Sequence, residues 1–339
     1  MAENFIQLSR ADRRDLLGIA AARSGRPPHL LEKDVWVVWA LDALFGSVLG
    51  DHLVFKGGTS LSKAYGVIHR FSEDVDLTYD IRALIPDLAG SSGEALPANR
   101  SQKDRWKKEV DLQLPKWVAE QAHPMLVEKL ATDGIAATVT AAGEELLIDY
   151  EPLAMGSGYV AARVKLEFGA SSTGEPNAVH GVVCDAASVI DDVVFPTARP
   201  RVMRAERTFW EKATAAHVFC AQARLRGERF ARHWHDLARL DEAGYATTAI
   251  ADRELAAAVA RHKAIFFREM ADGAPVDYAT AVSGGLHLVP VGAALDALAE
   301  DYSRMVDDGL LLNDAEPFVD LMQTCETIAE RANAIAAVG

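Results

Sequence analysis

The chain has 339 residues, a formal net charge of −14 and a composition that is half hydrophobic and one quarter charged. This length predicts two domains, or one domain with a large extension, and a sizeable buried core. The negative charge argues against a protein that binds nucleic acid of any sequence. Cys184, Cys220 and Cys325 are far apart and odd in number, so they predict a reducing compartment without a disulfide framework or a zinc site.

The sequence shows no pattern typical of export or of membrane insertion. The first residues, MAENFIQLSRADRRD, lack the apolar core of a signal peptide. The most apolar segment, 35–50, is short and contains Asp42, so it predicts a buried helix rather than a membrane span. We therefore predict a cytoplasmic protein with no membrane partner.

The predicted elements alternate between helices and strands before the chain becomes mainly helical. In chain order they are helices over 9–24 and 29–45, a strand over 52–55, a helix over 60–69, a strand over 75–79, a loop over 85–101, helical runs over 103–130 that break near Pro115 and Pro124, strands over 136–150 and 158–168, and helices from Arg204 onward. This order predicts an α/β (α+β) fold, with a mixed sheet flanked by helices over 1–200 and a mainly helical domain over 201–339.

The segment from Phe55 to Leu77, FKGGTSLSKAYGVIHRFSEDVDL, carries the strongest chemical pattern. A glycine pair lets the backbone approach phosphates closely, because neither residue has a Cβ atom. Asp74 and Asp76 are two residues apart on a predicted strand, so both side chains face the same side and can reach one Mg²⁺. An isolated D-x-D pair most often lies on an ordinary surface, but the glycine turn upstream favours a nucleotide site.

A third carboxylate comes from a strand with clean alternation of apolar and charged residues, VKLEF at 164–168. If this strand neighbours the one with Asp74 and Asp76, Glu167 joins them on one face. Three carboxylates together are costly without a cation. With one or two Mg²⁺ they are typical of phosphoryl or nucleotidyl transfer. Lys165 shares the face of Glu167, and simple pairing of the two is the alternative interpretation.

Charge is distributed unevenly along the chain. The range 199–239 holds ten Lys or Arg against four Asp or Glu, a local excess of +6, which leaves about −20 for the remainder. A basic surface on an acidic body fits a protein that holds one particular polyanion. The alternative is a solvated helix face with i,i+4 pairs such as Arg207–Glu211.

Together these segments resemble the AbiEii/AbiGii toxin family, which includes the MenT toxins, within the DNA polymerase β superfamily of nucleotidyltransferases. The resemblance rests on motifs in the family's order across about residues 29–240. They are LEKDVWVVWAL at 31–41, GGTSLSK at 57–63, RFSEDVDL at 70–77, VKLEF at 164–168, RTFWEKATAAH at 207–217 and RHWHDLARL at 232–240. The resemblance implies a nucleotidyltransferase fold and the toxin of a toxin–antitoxin or abortive-infection system for phage defence, with a cognate antitoxin as partner.

The resemblance also implies roles for individual residues. Catalysis is expected to involve Ser72, Asp74, Asp76, Glu167, Lys212 and Asp236. Metal binding is expected from Asp74, Asp76 and Glu167. Nucleotide binding is expected from Gly57, Gly58, Thr59, Ser60, Lys63 and Arg232. For Lys63, a solvent-exposed side chain without contact to phosphate is the alternative. Lys212 would contact phosphate, and together with Asp236 it would form the far wall of a two-sided cleft. The family often has tyrosines where this chain has Trp234 and His235, which leaves base stacking there open.

The expected reaction is Mg²⁺-dependent transfer of an NMP from an NTP to an RNA acceptor, most plausibly the 3′ end of a tRNA, with Mn²⁺ as an alternative cation. One alternative is nucleotidylation or phosphorylation of a protein, including self-modification at Ser72. Another is a nucleotide-binding interaction module without turnover. Among the remaining polar and aromatic residues, His217, Phe209 and Trp210 are predicted to belong to the core, and Lys56 to the surface.

Overall fold

A computed structural model describes residues 3–70, 74–91, 93–154, 161–223, 229–311 and 314–336. Its strands are β1 (Glu3–Asn4), β2 (Leu53–Lys56), β3 (Asp74–Tyr79), β4 (Ala137–Ala142), β5 (Glu145–Tyr150), β6 (Arg163–Gly169), β7 (Asn177–Val179), β8 (Val182–Val183), β9 (Val193–Val194), β10 (Thr197–Ala198), β11 (Arg201–Met203), β12 (Met270–Ala271) and β13 (Ala274–Pro275).

The helices are α1 (Arg10–Ser24), α2 (Pro28–Phe45), α3 (Gly57–Lys63), α4 (Ile81–Leu84), α5 (Pro86–Ala89), α6 (Arg100–Trp117), α7 (His123–Asp133), α8 (Ala205–Gln222), α9 (Arg232–Glu242), α10 (Tyr245–Ala251), α11 (Arg253–Phe266), α12 (Tyr278–Val282), α13 (Ala293–Asp307) and α14 (Phe318–Ala336). Short 3₁₀ segments occur at Phe5–Gln7, Val48–His52 and Asp185–Ser188. The chain groups into two compact units. The first is Met1–Ala64, Glu73–Ala95 and Asp104–Val202; the second is Tyr65–Ser72, Leu96–Lys103 and Met203–Gly339.

A mixed sheet forms the framework of the first unit. Among the described residues it has seven strands in the order β4-β5-β6-β3-β2-β11-β7. β3 runs parallel to β6 and antiparallel to β2, and β5 runs antiparallel to β6. The predicted α/β class with a mixed sheet is therefore confirmed, and the strands that carry Asp76 and Glu167 are direct neighbours.

Alternation explains why these strands place their charges on one face. On β6, Val164, Leu166 and Phe168 are buried, whereas the charged residues between them, Lys165 and Glu167, are partly exposed. β3 likewise buries Val75 and Leu77. Because successive side chains of a strand point to opposite faces, apolar burial on one face fixes the polar residues on the other. The core therefore orients the candidate site.

Helix α2 is buried along most of its length and belongs to this core. That agrees with the predicted buried helix over the apolar segment at 35–50. None of the helices that the structure describes is long and apolar enough to cross a membrane.

Three predicted element bounds were wrong. Helix α3 begins at Gly57 and ends at Lys63 rather than running over 60–69. The single strand predicted over 136–150 is the hairpin β4–β5, whose turn contains Gly143 with a φ of 63°. That left-handed conformation favours glycine and lets the chain reverse. The predicted loop over 85–101 contains α5 and the first residues of α6.

Helix α6 also passes through Pro115, where a break was predicted. A π-helical turn at Val118–Ala122 follows it, and α7 begins with Pro124 in its first turn. Proline fits the first turn because that position has no intrahelical partner for its missing N–H. The predicted break near Pro124 therefore coincides with the start of α7. Pro115, where the other break was predicted, lies inside α6.

The second unit is mainly helical, as predicted for the C-terminal part of the chain. Phe209, Trp210 and Trp234 are fully buried in it, and His217 is 9% exposed, which confirms the predicted core positions of Phe209, Trp210 and His217. Asp301 on α13 accepts hydrogen bonds from the backbone N–H groups of Arg229 (2.8 Å) and Ala231 (2.7 Å), just before α9. A buried carboxylate with two such donors fixes where α9 begins.

Candidate functional site

The glycine turn lies directly against a carboxylate of the neighbouring strand. Gly57 has a φ of +78°, and a Cβ atom at this position would lie 2.0 Å from Oδ2 of Asp76. Both the left-handed backbone and the close approach therefore require glycine. The backbone of the turn at Gly57 therefore packs closely against the Asp76 carboxylate.

We predict that Gly57→Ala lowers the free energy of unfolding by about 1–3 kcal/mol, because it combines backbone strain with a clash. Displacement of Asp76 is also expected to lower nucleotidyl transfer about 10- to 100-fold. Chemical denaturation and a steady-state assay measure the two effects. Gly134→Ala is the matched control: its φ is +66°, but nothing lies within 4 Å of the added Cβ. Equal losses in both variants would show that strain alone is responsible.

The hydroxyl groups after the glycine pair contact backbone oxygens within the unit. Thr59 Oγ1 donates to the carbonyl of Asp74, and Ser60 Oγ donates to the carbonyl of Gly57 at 2.9 Å. Both residues are buried. In this structure Thr59 ties the turn to β3 and Ser60 bonds within the turn, so while these bonds hold, contact of the two residues with phosphate would come from the backbone. The nucleotide-binding roles of Gly58, Thr59 and Ser60 stay predictions.

Three carboxylates lie side by side across three strands. The Cα of Asp76 on β3 is in register with that of Glu167 on β6, which is in register with that of Glu145 on β5. On the other side of Asp76, Lys56 of β2 is its partner in register. We call Asp76, Glu167 and Glu145 the carboxylate row. Glu145 was not predicted, because the hairpin that brings it beside Glu167 was not recognised.

Lys165 provides a positive charge beside these carboxylates. Its Nζ donates to Oε1 of Glu167 and lies 3.6 Å from Oδ1 of Asp74 and 3.9 Å from Oε1 of Glu145. The simple pairing of Lys165 with Glu167 considered from the sequence is thus present. Burial alone would lower the pKa of Lys165, but Glu167, Asp74 and Glu145 raise it, so the side chain is a cation at neutral pH.

The chemistry of these donors suits Mg²⁺, which binds oxygen ligands and usually takes one or two carboxylates together with substrate phosphates. Asp76 and Glu167 lie in register on neighbouring strands. Asp74, two residues before Asp76 on β3, lies on the same face. Within the described ranges, however, no three His, Cys, Asp or Glu side chains are close enough to hold a metal ion. The predicted metal ligands thus share a face without forming a closed cage, and their binding of Mg²⁺ stays a prediction.

Lys63 is held in a buried ion-pair network behind the turn. Its Nζ lies 2.5 Å from Oδ1 of Asp34 and 2.7 Å from Oδ1 of Asp185, and its side chain is 9% exposed. Arg26 also pairs with Asp185, while the backbone N–H of Asp185 donates to Asp34 at 2.6 Å. Contact of Lys63 with phosphate would require breaking these pairs. In this structure Lys63 anchors α3 to α2 and to the segment of Asp185.

We expect Lys63→Met to lower the free energy of unfolding by about 2–3 kcal/mol, because it leaves the Asp34 carboxylate buried without its cation. Burial raises the pKa of Asp34, so this group can take up a proton and limit the loss. Urea denaturation measures the change. Lys129→Met, in a half-exposed i,i+4 pair with Asp133 at 2.8 Å, is the control and should cost below about 1 kcal/mol. Similar losses in both would contradict a structural role for Lys63.

The second unit contains a separate cluster of buried charges. Arg70 binds Asp236 through two hydrogen bonds, from Nε to Oδ1 at 2.7 Å and from a terminal nitrogen to Oδ2 at 2.8 Å. Lys212 Nζ lies 2.8 Å from Oδ2 of the same carboxylate. Asp236 is fully buried, and Arg70 and Lys212 are nearly so. We call Arg70, Lys212 and Asp236 the buried triad.

The charges of the triad determine its protonation. Burial would raise the pKa of Asp236, but Arg70 and Lys212 outweigh it and hold this pKa well below the usual range. Burial lowers the pKa of Lys212, and the positive charge of Arg70 lowers it further. The negative charge of Asp236 raises this pKa, but the net direction is downward. Arg70 was missed as a site residue. It stands inside the quoted RFSEDVDL segment, but no local pattern indicates a partner 166 residues away.

The remaining predicted residues have different surroundings. Arg232 is exposed at the start of α9, whereas Trp234 is fully buried and donates its indole N–H to the carbonyl of Leu288. Trp234 is therefore a core residue rather than a platform for base stacking. His235 is buried, with Nδ1 3.3 Å from Oδ1 of Asp236. Ser72 lies outside the described residues.

Ion pairs account for part of the basic excess over 199–239. Arg204 pairs with Glu206 at 3.0 Å, and Arg207 pairs with Glu211 at 3.2 Å. The Arg207–Glu211 pair is the i,i+4 interaction that the alternative interpretation named. These cations therefore contribute less to a basic surface than the count of charges implies.

Solved structures similar to this chain include nucleotidyltransferases, at low sequence identity. JHP933 from Helicobacter pylori is 16% identical, over 91% of this chain and 94% of its own, with a TM-score of 0.41. MenT4, a nucleotidyltransferase toxin from Mycobacterium tuberculosis, is 18% identical, over 98% and 99% of the two chains, with a TM-score of 0.38. No curated protein matches the chain.

Membership in a family is shown by the match to a family model over most of the chain. The model described as the nucleotidyl transferase AbiEii toxin of type IV toxin–antitoxin systems matches residues 39–324. This range includes the glycine turn, the carboxylate row and all three residues of the buried triad. The chain is a nucleotidyltransferase and belongs to the AbiEii toxin family.

Proposed function

We propose that this protein is a toxin that transfers an NMP from an NTP to an RNA hydroxyl in the presence of Mg²⁺, with the 3′ end of tRNA as the acceptor. The observation that carries the proposal is the register of Asp76 with Glu167, beside Gly57, where an added Cβ would clash with the Asp76 carboxylate. Phosphates and a divalent cation can approach the same face there. The AbiEii family supplies the reaction class.

In the proposed reaction the acceptor oxygen attacks the α-phosphorus of the NTP. The new P–O bond forms as the bond to the β-phosphate oxygen breaks, and pyrophosphate leaves. The carboxylate of Glu167 accepts the proton of the acceptor hydroxyl, and the turn at Gly57 leaves room for the phosphates. Asp74, Asp76 and Glu167 would hold a divalent cation, which would neutralise charge on the phosphates.

The buried triad contributes a positive charge to the second unit. Two cations and one carboxylate sum to +1 for Arg70, Lys212 and Asp236. This surplus supports the proposed role of Lys212 as a point charge that favours an anionic substrate, with Asp236 orienting its ammonium group. Arg232 is exposed on α9 and remains a proposed nucleotide contact. We also infer a cognate antitoxin from the toxin family.

The experiment is a labelling reaction with each α-³²P-labelled NTP, total tRNA and either Mg²⁺, Mn²⁺ or a chelator. RNA and protein are then separated on denaturing gels. The expected result is label in the tRNA band that depends on the divalent cation and on one preferred NTP. Digestion of the labelled RNA to nucleosides then locates the addition at the 3′ end.

Other outcomes distinguish the alternatives. Label in the protein band instead of RNA would replace the RNA acceptor with a protein, including the enzyme itself. Binding of NTP by calorimetry without any labelled product would indicate an interaction module without turnover. Transfer that persists in the chelator would refute the requirement for a divalent cation.

A further inference from the structure

Lys165 is shared by acidic side chains from three neighbouring strands. Its ammonium group contacts Glu167 on its own strand β6, faces Asp74 of β3 at 3.6 Å and faces Glu145 of β5 at 3.9 Å. The lysine side chain is 31% exposed, close to the exposure of its acidic neighbours. The ammonium group of Lys165 therefore lies among carboxylates that would otherwise repel each other across the sheet.

Two of these carboxylates, Asp74 and Glu167, are among the predicted metal ligands, whereas Glu145 is not. A divalent cation that binds Asp74 and Glu167 must replace the contacts that these groups make with Lys165. Glu145 offers the displaced ammonium group a partner on the adjacent strand, since it is already 3.9 Å away. This face of the sheet thus contains Lys165, whose charge stabilises the neighbouring carboxylates. It also contains Glu145, toward which the displaced ammonium group can move.

We infer that Lys165 is an internal counter-ion, which stabilises Asp74, Glu167 and Glu145 without metal and competes with a divalent cation for Asp74 and Glu167. This inference rests on the metal site of the proposed function. Lys165 is in this view a positioning residue rather than a catalytic one. It sets how tightly a divalent cation binds before the nucleotide phosphates add their own charge.

The test measures binding of Mn²⁺ alone, without nucleotide or acceptor, by the electron paramagnetic resonance signal of the free ion. Lys165→Met removes the competing charge and is expected to tighten Mn²⁺ binding about threefold to tenfold. Lys165→Gln is a second neutral variant in case the first does not fold. Lys107→Met is the matched control, because it also removes one positive charge from the first unit, from an exposed pair with Asp111.

Tighter binding in a Lys165 variant, with unchanged binding in Lys107→Met, supports the inference. If Lys107→Met tightened Mn²⁺ binding equally, the effect would depend only on net charge, and the inference would be overturned. Unchanged or weaker binding in both neutral variants, or no binding by any protein, would also overturn it. Because nucleotide is absent, a protein that binds Mn²⁺ as expected yet transfers no NMP would refute the proposed function and leave this inference standing.

Discussion

Asp76→Asn is expected to lower nucleotidyl transfer about 1000-fold while leaving the fold intact. The substitution keeps the shape of the side chain but removes a charge that would face the divalent cation and the phosphates. Losses of about 100- to 1000-fold are typical when one preorganised electrostatic group is removed. We expect the loss for Asp76→Asn at the upper end of this range, because the Asp76 carboxylate lies against the turn at Gly57 and Asp76 is in register with Glu167.

Single-turnover labelling with saturating NTP measures this loss, and circular dichroism verifies the fold. Asp149→Asn is the matched control. Asp149 lies on β5 in the same sheet, but it is half-exposed and paired with Arg163 at 2.7 Å. The control should retain nearly full activity and, when expressed without an antitoxin, should still inhibit growth. Parent-like transfer by Asp76→Asn would exclude this face of the sheet as the active site.

Asp236→Ala is expected to lower the free energy of unfolding by about 3–5 kcal/mol, since it leaves two buried cations without their shared partner. Urea denaturation measures the loss. The double variant Asp236→Ala with Lys212→Met should recover part of it, because one of the uncompensated charges is removed as well. Asp241→Ala is the control. Asp241 pairs with Arg331, which is 40% exposed, so the loss should be below about 1 kcal/mol.

The effect of Asp236→Ala should also depend on pH. The pKa of Asp236 is held well below its usual range, so the native state binds a proton less readily than the unfolded chain. The stability that Asp236 contributes is therefore fully present above about pH 5 and is lost as pH falls toward its lower native pKa. The difference between parent and variant should be constant from pH 6 to 8 and shrink below about pH 4. A difference that grows in acid would contradict this assignment of charge.

Local periodicity was sufficient to predict which side chains share a face, but not which distant residues meet. Asp74, Asp76 and Glu167 follow from a period of two on strands whose other face is apolar. The partners of Lys63 are 29 and 122 positions away in sequence, and no short pattern encodes such pairs. Similarly, Arg70 reaches Asp236 across 166 positions. These contacts depend on packing of the whole unit.

The missed hairpin illustrates a different limit. The glycine at 143 is a turn signal, but the range 136–150 was predicted as one strand. If the range 136–150 is taken as one strand, nothing in the sequence predicts that β5 pairs with β6. Glu145 then cannot be placed next to Glu167. One overlooked turn residue therefore concealed the third member of the carboxylate row and, with it, the surroundings of Lys165.

The contact between Gly57 and Asp76 has a consequence for sequence comparison. Since a Cβ at position 57 would lie 2.0 Å from the Asp76 carboxylate, we expect substitutions at the two positions to be coupled. We expect relatives that retain the aspartate to retain the glycine. A chain with a side chain at the glycine position is expected to have lost the aspartate and with it the transfer reaction. This pair of positions provides a criterion for separating active toxins from inactive relatives within a set of aligned sequences.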